Sequence, residues 1–185
     1  MATIYNFNEE LPAATAAPLP GDKALVYVTA SGNMQSMDAG LLRAQSYTAA
    51  GATLTLTAAS HAGKTIKLDT AAGSIVTLPA ATGTGNVYRF VVSVIATTNS
   101  HIAKVANASD AMQGVIFSMD DTSANAVAFA AVAGTDDTIT LNRTTTGSVT
   151  VGEYFEVEDF ATNRFHVRGF VTNTGTPATM FSATV

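Results

Sequence analysis

The sequence contains no cysteine and no tryptophan, and its charged residues are few. Without cysteine, the chain can form neither disulfides nor thiolate metal sites. Only 12% of the residues are charged, which is about half of what is usual in soluble globular domains. A surface with so few charges must be covered by Thr, Ser, Asn, Ala and Gly. Such a surface suits extended β-structure and tight packing against other subunits better than it suits a freely diffusing enzyme.

Positive charge is also scarce, and the formal net charge is -5. The nine Lys and Arg residues are scattered between Lys23 and Arg168 without forming a run, so we predict no nucleic-acid partner and no binding to an anionic membrane. Apolar runs stay well short of the roughly 18 residues that a membrane span requires. The opening segment MATIYNFNEELP lacks a basic region followed by an apolar one, so we expect synthesis in a cytoplasm without a secretory signal.

The first 46 residues differ in composition from the rest of the chain. Residues 1–22 include the proline-rich and alanine-rich segment PAATAAPLPGD, and proline at this density favours an extended chain over a helix. We interpret this segment as an arm that gains order on a partner surface; a loose chain terminus is the alternative. The later segment MQSMDAGLLRAQ spaces its apolar residues three to four apart, which predicts one or two helical turns. We assign residues 1–46 to an N-terminal arm with a short attachment segment.

From Tyr47 onward, apolar and polar residues alternate in short runs separated by turn-forming residues. The runs LTLT, TIKLD and SIVTL are typical of strands, and YRFVVSVI is the longest apolar run and predicts a central strand. Short strands at intervals of about 8–12 residues are typical of sandwiches and barrels. We predict that residues 47–185 form an all-β domain, an antiparallel β-sandwich of jelly-roll or immunoglobulin-like type, following an extended N-terminal arm.

The segment AASHAGKT, residues 58–65, fits a loosened phosphate-loop pattern. A phosphate loop needs a glycine at its first position and a helix whose N-terminus faces the phosphates. Here Ala58 replaces that glycine, and the residues after Gly63-Lys64-Thr65 alternate as in a strand. We therefore interpret the segment as a hairpin turn and predict no nucleotide or other cofactor.

Two groups of residues could carry chemistry. The histidines His61, His101 and His166 lie far apart in the sequence, and we interpret them as ordinary side chains of a fold. The acidic cluster in GEYFEVEDF is Glu153, Glu156, Glu158 and Asp159. Paired carboxylates can bind calcium or cleave glycosidic bonds, but no calcium-loop pattern and no second acidic pair accompany these. We interpret them as charges that protect an edge strand from aggregation, and we predict no catalytic and no metal-binding residue.

Three passages resemble segments of a known group of proteins. The passage GKTIKLDTAAGSIVTLPAATGTGNVYRFVVSV is similar to a strand-turn-strand module of the virion proteins of tailed bacteriophages. The passage EVEDFATNRFHVRGFVTNTGTPATMFSA is similar to the closing segment of the same modules, and GDKALVYVTASGNMQSMDAGLLRA is similar to the N-terminal motif of phage appendage and decoration proteins. Together these passages cover most of the chain.

This resemblance implies a structural role on the virion and no active site. It implies a capsid decoration (cement) protein, a head fibre or a short tail appendage. We favour the decoration protein, which would lie on the capsid surface, bound to the major capsid protein or to other virion proteins, and proteins of this kind are often homotrimers. An N-terminal arm would lie across neighbouring capsid subunits, where aromatic and apolar side chains act as anchors. The partner-binding residues predicted in this arm are Tyr5, Phe7, Leu11, Pro12, Pro18, Leu19 and Pro20.

Two other functions remain open at this point. The first is a receptor-binding or carbohydrate-binding module of a head fibre or tail appendage. Such modules use exposed aromatic rings, for which Tyr47 and Tyr154 are candidates among only 8% aromatic residues. The second is a polysaccharide hydrolase that depends on Glu156 and Glu158 alone. We favour the structural role and expect the protein not to be an enzyme.

Overall fold

The computed structural model describes residues 23–27, 34–38 and 46–185. The chain divides into two units, Met1–Gln45 and Ser46–Val185. The partner-binding residues predicted in the arm lie outside the described residues: Tyr5, Phe7, Leu11, Pro12, Pro18, Leu19 and Pro20. Their role stays a prediction.

In the first unit, two strands form an antiparallel pair. Strand β1 is Lys23–Tyr27 and strand β2 is Met34–Asp38, and Lys23 lies opposite Asp38. The prediction of helical turns from Met34 onward is therefore wrong for Met34–Asp38. The apolar spacing covered too few residues to distinguish a helix from a strand, and the main-chain groups are instead paired with β1.

The described strands of the second unit form two sheets. The larger has seven strands in the order β10-β9-β13-β12-β7-β5-β3, and the smaller has five in the order β14-β11-β8-β6-β4. A short helix, α1, is Ala58–His61. The strands are β3 Tyr47–Ala49, β4 Thr53–Thr55, β5 Thr65–Leu68, β6 Ile75–Thr77, β7 Val87–Val92, β8 His101–Lys104, β9 Ala111–Asp120, β10 Ala126–Ala130, β11 Thr138–Leu141, β12 Tyr154–Ala161, β13 Arg164–Asn173 and β14 Phe181–Ser182.

The two sheets pack against each other, so the prediction of an all-β sandwich is confirmed. Strand direction needs correction, because the sheets are mixed and not antiparallel. From β3 to β8 the chain passes alternately between the two sheets, and β3, β5 and β7 lie side by side in parallel in the larger sheet. In the smaller sheet, β4, β6 and β8 likewise lie side by side in parallel.

Residues 47–104 thus wind three times in a short parallel solenoid, which neither a jelly roll nor an immunoglobulin-like sandwich contains. Alternation in the sequence shows which face of a strand is buried, but it does not show the direction of the neighbouring strand. Strands β12 and β13 pair in antiparallel fashion, and β13 then runs parallel to β9 along ten residue pairs.

The core lies between the sheets and consists of the inward-facing side chains of both. In β7, Tyr88, Phe90 and Val92 are buried, while the side chain of Arg89 between them is exposed. The ring of Phe90 stacks on that of Phe155 in the neighbouring strand β12, with ring centroids 4.6 Å apart. Such a stacked pair adds about 0.5–1.5 kcal/mol to the stabilisation from burial alone.

The segment AASHAGKT is helical only over α1, and it leads into a strand. The Thr57 hydroxyl oxygen accepts a hydrogen bond from the Ser60 N–H and so caps the first turn of α1. After Lys64 the chain enters β5, as predicted, so no helix begins there to bind a phosphate. The predicted hairpin is wrong, however, because β4 and β5 belong to different sheets.

Candidate binding face

The outer face of the larger sheet carries an exposed group of apolar and charged side chains. In β12 and β13 every second residue is buried in the core, so the residues between them point outward. These outward residues include Tyr154 and Glu156 in β12 and Arg168 and Phe170 in β13. They form two rows that run across the sheet, one aromatic and one charged.

The aromatic row consists of Phe117, Tyr154 and Phe170 on three neighbouring strands, with Met119 beside it; we call these four residues the aromatic face. The side chain of Phe117 is 41% exposed and that of Phe170 is 49% exposed. Their rings stack with centroids 5.5 Å apart, and the Tyr154 ring lies 5.9 Å from that of Phe170. Aromatic rings that stack on each other while half exposed to water mark a surface suited to binding.

The charged row consists of Arg89, Glu156 and Arg168, and we call it the charge ladder. Glu156 lies between the two arginines, opposite Arg89 on β7 and Arg168 on β13. The Arg168 Nε donates a hydrogen bond of 2.8 Å to Glu156 Oε2, and this hydrogen bond and the negative charge raise the pKa of Arg168 above its ordinary value. The Arg89 guanidinium lies over the Tyr154 ring, 4.7 Å from its centroid, in a cation–π contact.

Between the two rows lies a depression with a volume of about 190 Å³. Arg89, Tyr154, Glu156, Arg168 and Phe170 line it together with the backbone of Gly169. A second depression of about 260 Å³ lies on the other side of Tyr154 and Phe170 and is lined in part by Met119. The rings are therefore accessible from both sides.

The interpretation of Glu156 and Glu158 as protection of an edge strand is wrong. Strand β12 lies in the middle of the larger sheet, with β13 on one side and β7 on the other. Glu156 bonds to Arg168 across the strands, and Glu158 Oε2 lies 3.9 Å from His166 Nδ1. Strand order depends on contacts that are distant in the sequence, so alternation alone could not reveal it.

The other two residues of the acidic cluster stabilise loops from within the protein. Glu153 is buried, and its carboxylate accepts hydrogen bonds of 2.6 Å from the N–H groups of Ser148, Val149 and Thr150. Burial raises the pKa of Glu153, and these hydrogen bonds oppose that shift without reversing it. The carboxylate is thus occupied by the loop that leads into β12.

Asp159 plays the same role for the loop before β7. Its carboxylate accepts hydrogen bonds from the N–H groups of Thr82, Gly83 and Thr84, and from the hydroxyls of both threonines. Burial alone would raise the pKa of Asp159, but these hydrogen bonds together lower it below its ordinary value. The acidic cluster of the sequence is therefore divided between an outer face and two loops.

The three histidines lie in separate surroundings. His101 is buried in β8, where its Nδ1 accepts a hydrogen bond from the Ser74 N–H and its Nε2 lies 2.9 Å from the Val94 carbonyl oxygen. This arrangement holds the neutral ring, and burial lowers the pKa of His101. His61 contacts the residue that caps α1, and His166 faces Glu158 on the sheet surface.

Most of the aromatic face was not apparent from the sequence. Tyr154 and Tyr47 were candidates, and both lie on the outer face, where Tyr47 is 64% exposed beneath the Lys67 ammonium. Phe117 and Phe170 were not identified because they stand in apolar runs. The sequence RFHVRGFVTN did contain a signal for Phe170. In a strand, Phe170 lies on the same face as the polar His166 and Arg168 and on the opposite face from the buried Phe165 and Val167.

Within the described residues, no group of three or more His, Asp or Glu side chains is arranged to hold a metal ion. No helix in this part of the chain is long and apolar enough to cross a membrane. Comparison of the chain with family models, curated proteins and solved structures found no match. The function must therefore be inferred from the geometry and from the resemblance of the sequence.

Proposed function

We propose that the protein is a non-catalytic structural protein of a tailed-bacteriophage particle, a decoration protein that binds the capsid surface and stabilises it. The observation that carries the proposal is the aromatic face, which lies on a rigid sheet and not on a loop. Its partner in this proposal is the major capsid protein or another virion protein, and the N-terminal arm supplies a second attachment.

The composition of the outer face fits a protein–protein interface. Interfaces are enriched in aromatic residues, Met and Arg, and their strongest contacts come from a few Trp, Tyr and Arg side chains. The aromatic face combines such rings with Met119, and the charge ladder at its border contributes Arg89 and Arg168. The rings would supply apolar contact area, and the charges would fix the orientation of the partner.

The surroundings of the carboxylates support a non-catalytic role. Glu153 and Asp159 are occupied by backbone N–H groups, and Glu156 is paired with Arg168. A glycosidase needs two carboxyl groups that are free to act on opposite sides of one bond. A decoration protein needs only to bind the assembled shell more tightly than its separate subunits, because binding to the assembled state raises the stability of that state.

The test uses capsids that lack this protein, prepared from the phage that encodes it. Purified protein is added, and the amount that sediments with the capsids is measured together with the temperature at which the capsids open. We expect saturable binding at a fixed ratio to the capsid protein and a higher opening temperature. Absence of binding would overturn the proposal.

Two variants locate the contact. Phe170→Ser should weaken capsid binding at least tenfold, whereas Ile75→Ser, at a residue that is 41% exposed on the smaller sheet, should leave it unchanged. Deleting residues 1–22 tests the arm and should abolish attachment while leaving the sandwich folded. If Phe170→Ser binds as the unaltered protein does, the aromatic face is not the capsid contact.

A carbohydrate-binding or receptor-binding appendage is the second candidate, and one observation favours it. The depression of about 190 Å³ places the Tyr154 ring next to the polar groups of Arg89, Glu156 and Arg168. Sugars bind by stacking on such a ring while their hydroxyls bond to neighbouring polar groups. Binding to host cells or glycans that is lost in Tyr154→Ala, without binding to capsids, would favour this candidate over the first.

A further inference from the structure

Strand β10, Ala126–Ala130, forms one edge of the larger sheet as far as the described residues go, and its own sequence lacks the residues that usually protect an edge. Its residues are Ala, Val, Ala, Phe and Ala, and all except Phe129 are exposed. No charged residue and no proline occurs anywhere from residue 122 to residue 135. Exposed edges in soluble proteins usually carry charges or proline, or are very short, because an unprotected edge pairs with other strands.

The other edges of the two sheets of the sandwich are shorter. Strands β3 and β4 have three residues each, and β14 has two, whereas β10 has five. Short edges offer few main-chain groups to a partner. Among the edges of these two sheets, β10 is therefore the one best suited to accept another strand.

The main-chain groups of β10 that point away from β9 can be identified from the pairing of these two strands. The Ala131 N–H donates to the Gly114 carbonyl, and the Asp120 N–H donates to the Asn125 carbonyl. Main-chain groups of an antiparallel strand point alternately to its two sides, so the odd-numbered residues of β10 bond to β9. The N–H and C=O groups of Ala126, Ala128 and Ala130 point away from the sheet.

We propose that β10 pairs in antiparallel fashion with β10 of a second copy of this chain, about a two-fold axis at Ala128. In this register Ala126 lies opposite Ala130 of the second copy, and Ala128 lies opposite its own counterpart. Each of these residue pairs exchanges two hydrogen bonds, about six in all. The two larger sheets become one continuous sheet.

The sequence of β10 is complementary to itself in this register. On the inner face Val127 lies opposite Phe129 of the second copy, and aromatic and β-branched side chains form favourable pairs across strands. On the outer face only alanines meet, so no bulky side chain separates the two backbones. Because residues 122–135 carry no charge, the two-fold arrangement brings no like charges together within this segment. These features favour a second copy over an unrelated partner.

The pairing would also place two aromatic faces side by side. Phe117 lies opposite Ala128 in the pairing of β9 with β10, so the two Phe117 residues would be separated by three strand spacings, about 14 Å. Self-association does not depend on the proposed binding of capsids and can be tested without them. It predicts a dimer or an assembly of dimers, in contrast to the trimer that the sequence resemblance implies.

The first experiment measures the mass of the full chain in solution by light scattering over a range of micromolar concentrations. We expect a dimer, and Ala128→Glu should raise its dissociation constant at least tenfold because two glutamates would meet at the axis. Ala49→Glu is the matched control, since Ala49 is an exposed outward alanine of the opposite edge strand β3 beside Lys67. This control should leave the dimer unchanged.

A second experiment does not depend on how well Ala128→Glu folds. The chain has no cysteine, so Ala128→Cys introduces a single thiol that can form a disulfide only with another copy. The proposed register brings the two Cα atoms to about 5.5 Å, within the range of disulfides, so mild oxidation should give a covalent dimer in high yield. Ala49→Cys should give little covalent dimer under the same conditions. A monomeric wild-type chain, an oligomer insensitive to Ala128→Glu, or equal cross-linking of both cysteine variants would overturn the proposal.

Discussion

The carboxylate of Asp159, near the end of β12, accepts a hydrogen bond of 2.6 Å from the N–H of Gly83, 76 residues earlier in the chain. Thr82 and Thr84 donate to the same carboxylate. A single buried side chain therefore fixes the loop between β6 and β7 to the strand that lies beside β7 in the sheet.

Replacing Asp159 should destabilise the sandwich. Asp159→Ala leaves the N–H groups of this loop without their acceptor, and we expect a loss of about 2–4 kcal/mol in the free energy of unfolding. Asp121→Asn removes the charge of an exposed aspartate and should change stability by less than about 0.5 kcal/mol. Urea unfolding of both variants provides the measurement, and equal midpoints would contradict the role assigned to Asp159.

The buried His101 predicts a loss of stability in mild acid. Because burial lowers the pKa of His101 in the folded protein, the unfolded chain takes up this proton first as the pH falls below about 6.5. The contribution of the neutral His101 to the free energy of unfolding is fully present above that pH. It is lost as the pH falls towards the pKa of His101 in the folded state. Protonation also removes the acceptor for the Ser74 N–H.

The measurement is the free energy of unfolding at pH 7.5 and pH 5.5. The unaltered protein should be less stable at the lower pH. His101→Gln keeps one acceptor and one donor without titrating, so it should lose much less stability between these two values. A variant that shows the same pH dependence as the unaltered protein would assign the effect to other groups.

Gly114 allows β9 and β13 to lie close together. Its φ is +133°, and a Cβ at this position would lie 1.9 Å from the Val167 carbonyl oxygen. Gly114→Ala should therefore separate the two strands and cost more than about 3 kcal/mol. Gly51→Ala is the matched control, because φ there is +58° and no atom lies within 4 Å of the added Cβ. Gly51→Ala should lower the free energy of unfolding by only about 1 kcal/mol. Thermal and denaturant unfolding of both variants measure the difference.

The sequence predicted the strands of residues 47–185 better than it predicted their arrangement. Alternation depends on neighbouring residues, and it correctly indicated β5, β6 and β7 as strands. The parallel winding was hidden because its turns differ in length. Tyr47 pairs with Thr65, 18 residues later, but Thr65 pairs with Arg89, 24 residues later, so no fixed period appears in the sequence.

The candidate site was harder to predict for a related reason. The aromatic face brings together residues from β9, β12 and β13, and it depends on strand order as well as on alternation. The acidic cluster shows the same limit. Glu156 and Asp159 are three residues apart, yet Glu156 points out to Arg168 while the buried Asp159 carboxylate binds the N–H groups of the Gly83 loop.

The aromatic face should contribute little to folding if it serves binding. Phe170→Ser removes a ring that is 49% exposed and stacks on Phe117, so we expect a loss of no more than about 1.5 kcal/mol in the free energy of unfolding. Phe155→Ala, at a buried ring that stacks on Phe90, should cost about 3–5 kcal/mol. Denaturant unfolding of the two variants under the same conditions measures the difference. A cost for Phe170→Ser equal to that of Phe155→Ala would show that the ring is part of the structural core, and the binding role of this face would lose its support.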